Sequence, residues 1–106
     1  MDLHQYRDAF IADAREQLAL LSTSLQILHT RLADGAALEG VRRAFHTLKG
    51  TSGTMQYAAL SAFCGERETE VKTLLDSKGT PSPENLTAWD SSLAHLQKEI
   101  DAIAGG

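Results

Sequence analysis

An all-α fold, an antiparallel up-and-down four-helix bundle, is what this 106-residue sequence predicts. Two observations carry the prediction. Apolar residues recur at steps of three and four through four successive stretches, and short segments with turn chemistry separate those stretches. A third observation excludes the alternative: nowhere do β-branched and polar residues alternate as they do in a half-buried strand. With 42% hydrophobic and 23% charged residues the composition is that of an ordinary globular chain with one modest core.

Leu3, Tyr6, Phe10, Ala14, Leu18, Leu21, Leu25, Leu28 and Leu32 form one face of a long first helix, expected over about residues 3–33, which Asp34-Gly35 ends. Leu38, Val41, Phe45, Leu48, Ser52 and Met55 set a second helix over about 37–54. Leu60, Phe63, Cys64, Val71, Leu74 and Leu75 sketch a third over about 57–77, which closes in the turn-forming Ser77-Lys78-Gly79-Thr80-Pro81. Ser82-Pro83-Glu84 supplies an N-cap, a proline at the first helical position and an acid in the first turn. The fourth helix follows over about 83–103, with Leu86, Trp89, Leu93, Leu96, Ile100 and Ile103 on its stripe. Residues 1–106 are thus read as a single domain, and Ala104-Gly105-Gly106 as a frayed tail or the start of a linker.

Several classes of function are excluded. The formal net charge of −4, with no basic stripe, speaks against binding a phosphate backbone, so no nucleic-acid partner is expected. The single Cys64 permits no internal disulfide. Met1 leads directly into Asp2 without a signal-peptide core, and no apolar run is long enough for a membrane span; the cytoplasm is the expected compartment. No Gly-rich nucleotide loop, Walker lysine or kinase signature occurs, so neither an ATP site nor a cofactor is expected, and the chain is not read as an enzyme in its own right.

The feature that needs explaining is Ala44-Phe45-His46-Thr47-Leu48-Lys49-Gly50-Thr51-Ser52-Gly53. Each glycine inside a helix costs about 1 kcal/mol relative to alanine. On a wheel of about 100° per residue, His46 falls roughly 130° from a stripe centred on Phe45 and Ser52, and Gly50 and Gly53 fall within about 40° of it. Glycines that serve close helix packing belong on the stripe; these lie on the exposed strip, where bare backbone lets another protein approach the imidazole. An exposed imidazole offers an unprotonated nitrogen near neutral pH, and Lys49 at i+3 can offset charge on an incoming phosphoryl group. A metal site is not expected, because position 50, where a second ligand would stand at i+4, is glycine. His4, His29 and His95 share no spacing and read as solvated or half-buried, Cys64 as a buried thiol and Trp89 as core. Arg42 and Arg43, one turn before the histidine, are candidates for a partner docking surface together with Gly50 and Gly53. Two other readings compete: a non-phosphorylated helical docking module, and a small bundle enzyme built on His46 with Glu68.

His46-Thr47-Leu48-Lys49-Gly50-Thr51-Ser52-Gly53-Thr54-Met55 resembles the phosphorylation motif of histidine-containing phosphotransfer (HPt) domains. It is most similar to the N-terminal phosphotransfer domain of chemotaxis-type histidine kinases, whose opening helix is similar to Phe10-Ile11-Ala12-Asp13-Ala14-Arg15-Glu16-Gln17-Leu18. The resemblance spans about residues 6–76 and implies a helical-bundle phosphocarrier of two-component signalling. His46 is then the phosphoacceptor, Lys49 the charge-stabilising lysine, and Gly50 and Gly53 the permissive glycines. A third-helix glutamate of that family bonds the ring's other nitrogen; counting along the motif puts the role on Glu68, with Glu66 and Glu70 close enough to compete. The implied partners are a response-regulator receiver domain as acceptor, and a histidine kinase catalytic domain or a phosphorylated receiver as donor. One position and one stretch depart from the family pattern, and within the stretch Gly65 replaces a polar residue often found there. Gln56 stands where it usually has glycine, and Phe63-Cys64-Gly65-Glu66-Arg67-Glu68-Thr69-Glu70-Val71 is more charged than the usual third helix, with Arg67 and Glu70 at expected core positions.

Overall fold

The computed structural model describes residues 2–106, and its four helices are α1 (Leu3–Thr30), α2 (Gly35–Thr54), α3 (Ala58–Asp76) and α4 (Pro83–Gly105). Cross-helix contacts show the antiparallel order directly. Arg15 meets Asp101 at 2.9 Å and His29 meets Asp90 at 2.7 Å, so α4 descends as α1 rises. Phe63 packs against His95 with tilted rings, and Trp89 bonds Glu70, in the same sense between α3 and α4. The result is an up-and-down bundle measuring 44 × 22 × 19 Å.

One core runs its length, built from Leu18, Leu21, Leu25 and Leu28 of α1, Val41, Phe45 and Leu48 of α2, Cys64 and Val71 of α3, and Trp89, Leu96 and Ile100 of α4. Burying each such large side chain contributes about 1.5–3 kcal/mol, which is why the stripes, rather than helix propensity, hold the four segments together. Leu3 and Tyr6 belong to the stripe of α1 by period but are exposed. The Arg15–Asp101 register accounts for part of it: the first two turns of α1 lie beyond the level of Gly106, so α4 does not cover them.

The helix ends differ from the periodic reading in informative ways. α1 stops at Thr30 rather than near residue 33, because Arg31 leaves helical geometry (φ −134°, ψ 89°). Asp34 does not close α1; it opens α2, its side chain accepting the Ala37 N–H at 2.9 Å. At the far end of α2, Gln56 takes φ 64°, the Tyr57 N–H bonds the Ser52 carbonyl and the Gln56 N–H that of Gly53. These bonds make a Schellman cap, in which a left-handed residue satisfies the last carbonyls, and that requirement accounts for the glycine usual there in the family pattern. α3 closes in the same way, with Lys78 rather than Gly79 in the left-handed region (φ 56°). α4 begins with the expected Ser82 cap and Pro83, in a capping box with Asn85, and continues through Ala104 and Gly105, where a frayed tail was expected.

The charged third helix is continuous. Arg67 lies over the Phe63 ring at 4.9 Å and pairs with Glu70, whose other oxygen accepts the indole N–H of the fully buried Trp89 at 3.2 Å. Both residues thus keep their polar ends at the α3–α4 seam while their stems cover apolar surface. Gly40 is a packing glycine: a Cβ there would run into Ser24 of α1, so α1 and α2 approach closely at this level. Burial pushes the Cys64 thiol up to about 12, which makes it an inert core residue.

Candidate functional site

The phase of α2 puts Phe45 wholly inside and His46, the next residue, on the outer surface facing α3. Glu68 projects from α3 to meet it. His46 Nδ1 and Glu68 Oε2 are 2.7 Å apart, and since a charged carboxylate only accepts, Nδ1 carries the proton and donates. The imidazole side chain is 57% exposed while the Glu68 side chain is 10% exposed: the carboxylate is sunk into the seam and the ring stands on it. Nε2 has no hydrogen-bond partner among the described residues and is the ring nitrogen left for chemistry.

Lys49 Nζ donates to the other oxygen of Glu68 at 2.7 Å. Its aliphatic stem crosses α3 over Gly65, where an added Cβ would stand 3.1 Å from the lysine Cδ. The absence of a side chain at position 65 therefore opens the slot through which Lys49 reaches Glu68. Burial raises the Glu68 pKa, but the hydrogen bonds from Lys49 and His46, together with the charge of the ammonium, outweigh it, so the carboxyl sits below its ordinary value and stays charged. Ser61 donates to the Lys49 carbonyl at 2.9 Å and pins α3 to the same turn of α2.

Arg42 reaches the group from one turn earlier, with Nη1 3.4 Å from Glu68 Oε2. Its guanidinium is held chiefly by Glu39, through Nε at 3.0 Å and Nη2 at 2.6 Å. That bond, foremost, raises the Arg42 pKa and lowers that of Glu39. Together with Lys72 these side chains line an open hollow of about 460 Å³ beside the imidazole.

Of the residues singled out from sequence, His46, Lys49, Glu68 and Arg42 are brought into one cluster. Arg43 is not part of it, pointing outward with only a 3.9 Å approach to Glu39. Glu66 is exposed beside Arg67, and Glu70 serves α4, so Glu68 is the third-helix glutamate that contacts the ring. Gly50 has nothing within 4 Å of a built Cβ and leaves open space next to His46. At Gly53 a Cβ would meet Ser61 Oγ at 3.3 Å, so that glycine also accommodates α3. Glu39 and Gly65 were missed by the sequence reading. The i−7 spacing of Glu39 from His46 and its i+3 relation to Arg42 were the available signal for the first; for Gly65 the signal was that it replaces a polar residue often found there in the family pattern, but its role could not be read because the lysine stem crosses from another helix. Among the described residues no three His, Cys, Asp or Glu side chains gather as metal ligands, and no helix is long and apolar enough to cross a membrane.

Comparison with known proteins bears on the family and the fold. The Bacillus subtilis (strain 168) chemotaxis protein CheA is 29% identical over all 106 residues, which span 16% of that protein's length. The CheA phosphotransferase domain from Thermotoga maritima superposes with a TM-score of 0.92 at 23% identity, over 98% of this chain and 99% of that one. A solution structure of the histidine phosphotransfer domain of CheA gives 0.87 at 23% identity, over 98% of this chain and 78% of that one. At those identities the two structures establish the shared fold. The family model for the Hpt domain matches residues 5–106, and the chain is accordingly a member of the Hpt domain family, a phosphotransfer module built as a four-helix bundle.

Proposed function

We propose that this chain is a phosphocarrier of two-component signalling, accepting a phosphoryl group on His46 Nε2 and passing it to an aspartate of a response-regulator receiver domain. The observation that carries the reading is the 2.7 Å bond from Nδ1 to a buried, charged carboxylate beneath an exposed ring. That bond places the proton on Nδ1, directs the Nε2 lone pair outward, and increases its basicity. The Nε2 lone pair attacks phosphorus, the Nε2–P bond forms, and the donor's P–O bond breaks with its electron pair leaving on the donor oxygen. No proton has to leave Nε2, and the positive charge that develops on the ring is offset by Glu68 through the Nδ1–H bond. In the onward step a carboxylate oxygen of the receiver attacks phosphorus and the electron pair of the P–N bond returns to Nε2.

Lys49 has the charge-stabilising role. An ammonium has three N–H donors and Glu68 takes one, so two remain for phosphoryl oxygens in the hollow. The open backbone at Gly50 makes room for the partner, and Arg43 lies on the same exposed rim. The donor is a histidine kinase catalytic domain or a phosphorylated receiver, and the setting is chemotaxis-like and cytoplasmic; the chain binds no ATP itself.

Incubation with a histidine kinase catalytic domain and labelled ATP tests the reading. An acid-labile, base-stable label is expected on the wild-type chain and none on His46→Gln; a label that survives the substitution overturns the assignment. A plain docking module predicts partner binding that persists in His46→Gln with no label on either protein.

A further inference from the structure

Glu68 Oε2 is approached by two donors of different strength. His46 Nδ1 has it at 2.7 Å and Arg42 Nη1 stands off at 3.4 Å. The order is unexpected from the donors alone, because a guanidinium is permanently charged and its fork fits a carboxylate, whereas a neutral imidazole offers one N–H. What holds the arginine back is Glu39, whose carboxylate takes Nε and Nη2 and leaves only Nη1 turned towards Glu68. Arg42 is three-quarters buried between the two carboxylates, so it has two possible partners.

We propose that Glu39 is a positioning residue of the phosphotransfer site: by retaining Arg42 it reserves one oxygen of Glu68 for His46 Nδ1. The inference rests on His46 being the phosphoacceptor, but its first consequence concerns the unphosphorylated ring. With Glu39 charged, Arg42, Lys49, Glu39 and Glu68 sum to zero and each cation has its own carboxylate, leaving Oε2 to the imidazole. With Glu39 neutral, Arg42 and Lys49 both turn to Glu68, Oε2 is drawn into an ion pair, and the imidazole loses the bond that fixes its tautomer. Lys72 and Asp76 of α3 also line the hollow and make none of these bonds.

The test uses the 106-residue chain in three forms: wild type, Glu39→Gln, and Glu39→Gln with Arg42→Met. Ring nitrogen NMR reads the His46 tautomer, and labelling by phosphoramidate, a small donor that needs no partner, reads Nε2 reactivity. Glu39→Gln is expected to lose the preference for Nδ1–H and to slow labelling about tenfold, the lower end of what losing an orienting partner costs. Removing the arginine as well is expected to restore both, which a merely structural role of Glu39 would not produce. A wild-type tautomer ratio in Glu39→Gln, or a double variant no better than the single one, overturns the proposal. If the wild type takes no label while its tautomer responds as described, it is the phosphoacceptor reading that fails, not the role of Glu39.

Discussion

Two glutamates two residues apart on α3 each accept an N–H from an aromatic ring of a neighbouring helix, and they do opposite things. Glu68 is buried beneath an exposed imidazole of α2; Glu70 is half exposed above a fully buried indole of α4. Both carboxylates also take a cation, Lys49 in one case and Arg67 in the other. At the α3–α4 seam the bond satisfies a donor that packing has taken from water, and the ring has no further polar atom to offer. At the α2–α3 seam the carboxylate is the group sunk into the protein, and the ring keeps a second nitrogen in solvent. The same pair of functional groups is therefore structural or reactive according to which member the helix phase buries.

Exchanging rings is expected to break the comparison most sharply. Trp89→Ala should cost about 3–5 kcal/mol of stability, read by denaturant unfolding, while the folded fraction still takes label; His46→Gln should stay within about 0.5 kcal/mol of wild type and take none. Next in size is the carboxylate. Glu68→Gln removes the charged acceptor of Nδ1–H and should slow phosphoramidate labelling about 100-fold, whereas Glu70→Gln should leave labelling unchanged and cost about 1 kcal/mol of stability. Equal effects of the two on labelling would contradict the division of roles drawn above.

Acid titration sharpens the same contrast. The carboxyl groups of Glu68, Glu39 and Asp34 sit below their ordinary values in the folded chain, so they contribute stability above the unfolded values, near 4.5 for the glutamates and 3.8 for the aspartate. That stability is lost as pH falls through the lowered folded values. Melting temperature should be flat above about pH 5.5 and fall below about pH 4.5, and Glu68→Gln should make the fall shallower. The smallest effect expected is at Gly50. With open space for a Cβ, Gly50→Ala should gain about 1 kcal/mol in helix stability and leave phosphoramidate labelling intact, yet slow transfer to a receiver domain. An alanine that transferred at the wild-type rate would show that the partner does not approach over position 50.

Much of this was legible before any fold was drawn. The four stripes follow from a local period of 3.6 residues, and the same wheel put His46 off the apolar stripe with Gly50 beside it, because neighbours on one helix are fixed by its own geometry. The limits of α1 were less legible: Asp34-Gly35 serves equally as a stop or a start, and only the Ala37 N–H bonded to Asp34 decides for the start. Gln56 could be seen to replace a usual glycine, but its left-handed backbone could not.

What the chain by itself determined is which residues share a face on each helix, and hence that an imidazole, a lysine and two glycines are presented together. What only the tertiary structure decided is how one helix is phased against another. That phasing chose Glu68 over Glu66 and Glu70, sent Lys49 across Gly65, brought Arg42 within reach of Glu68, and packed Gly40 on Ser24. The reason is physical: a helix's own period is dictated by bonds four residues apart, while its rotation in the bundle is settled by the fit of the whole core, in which every side chain of the other three helices takes part.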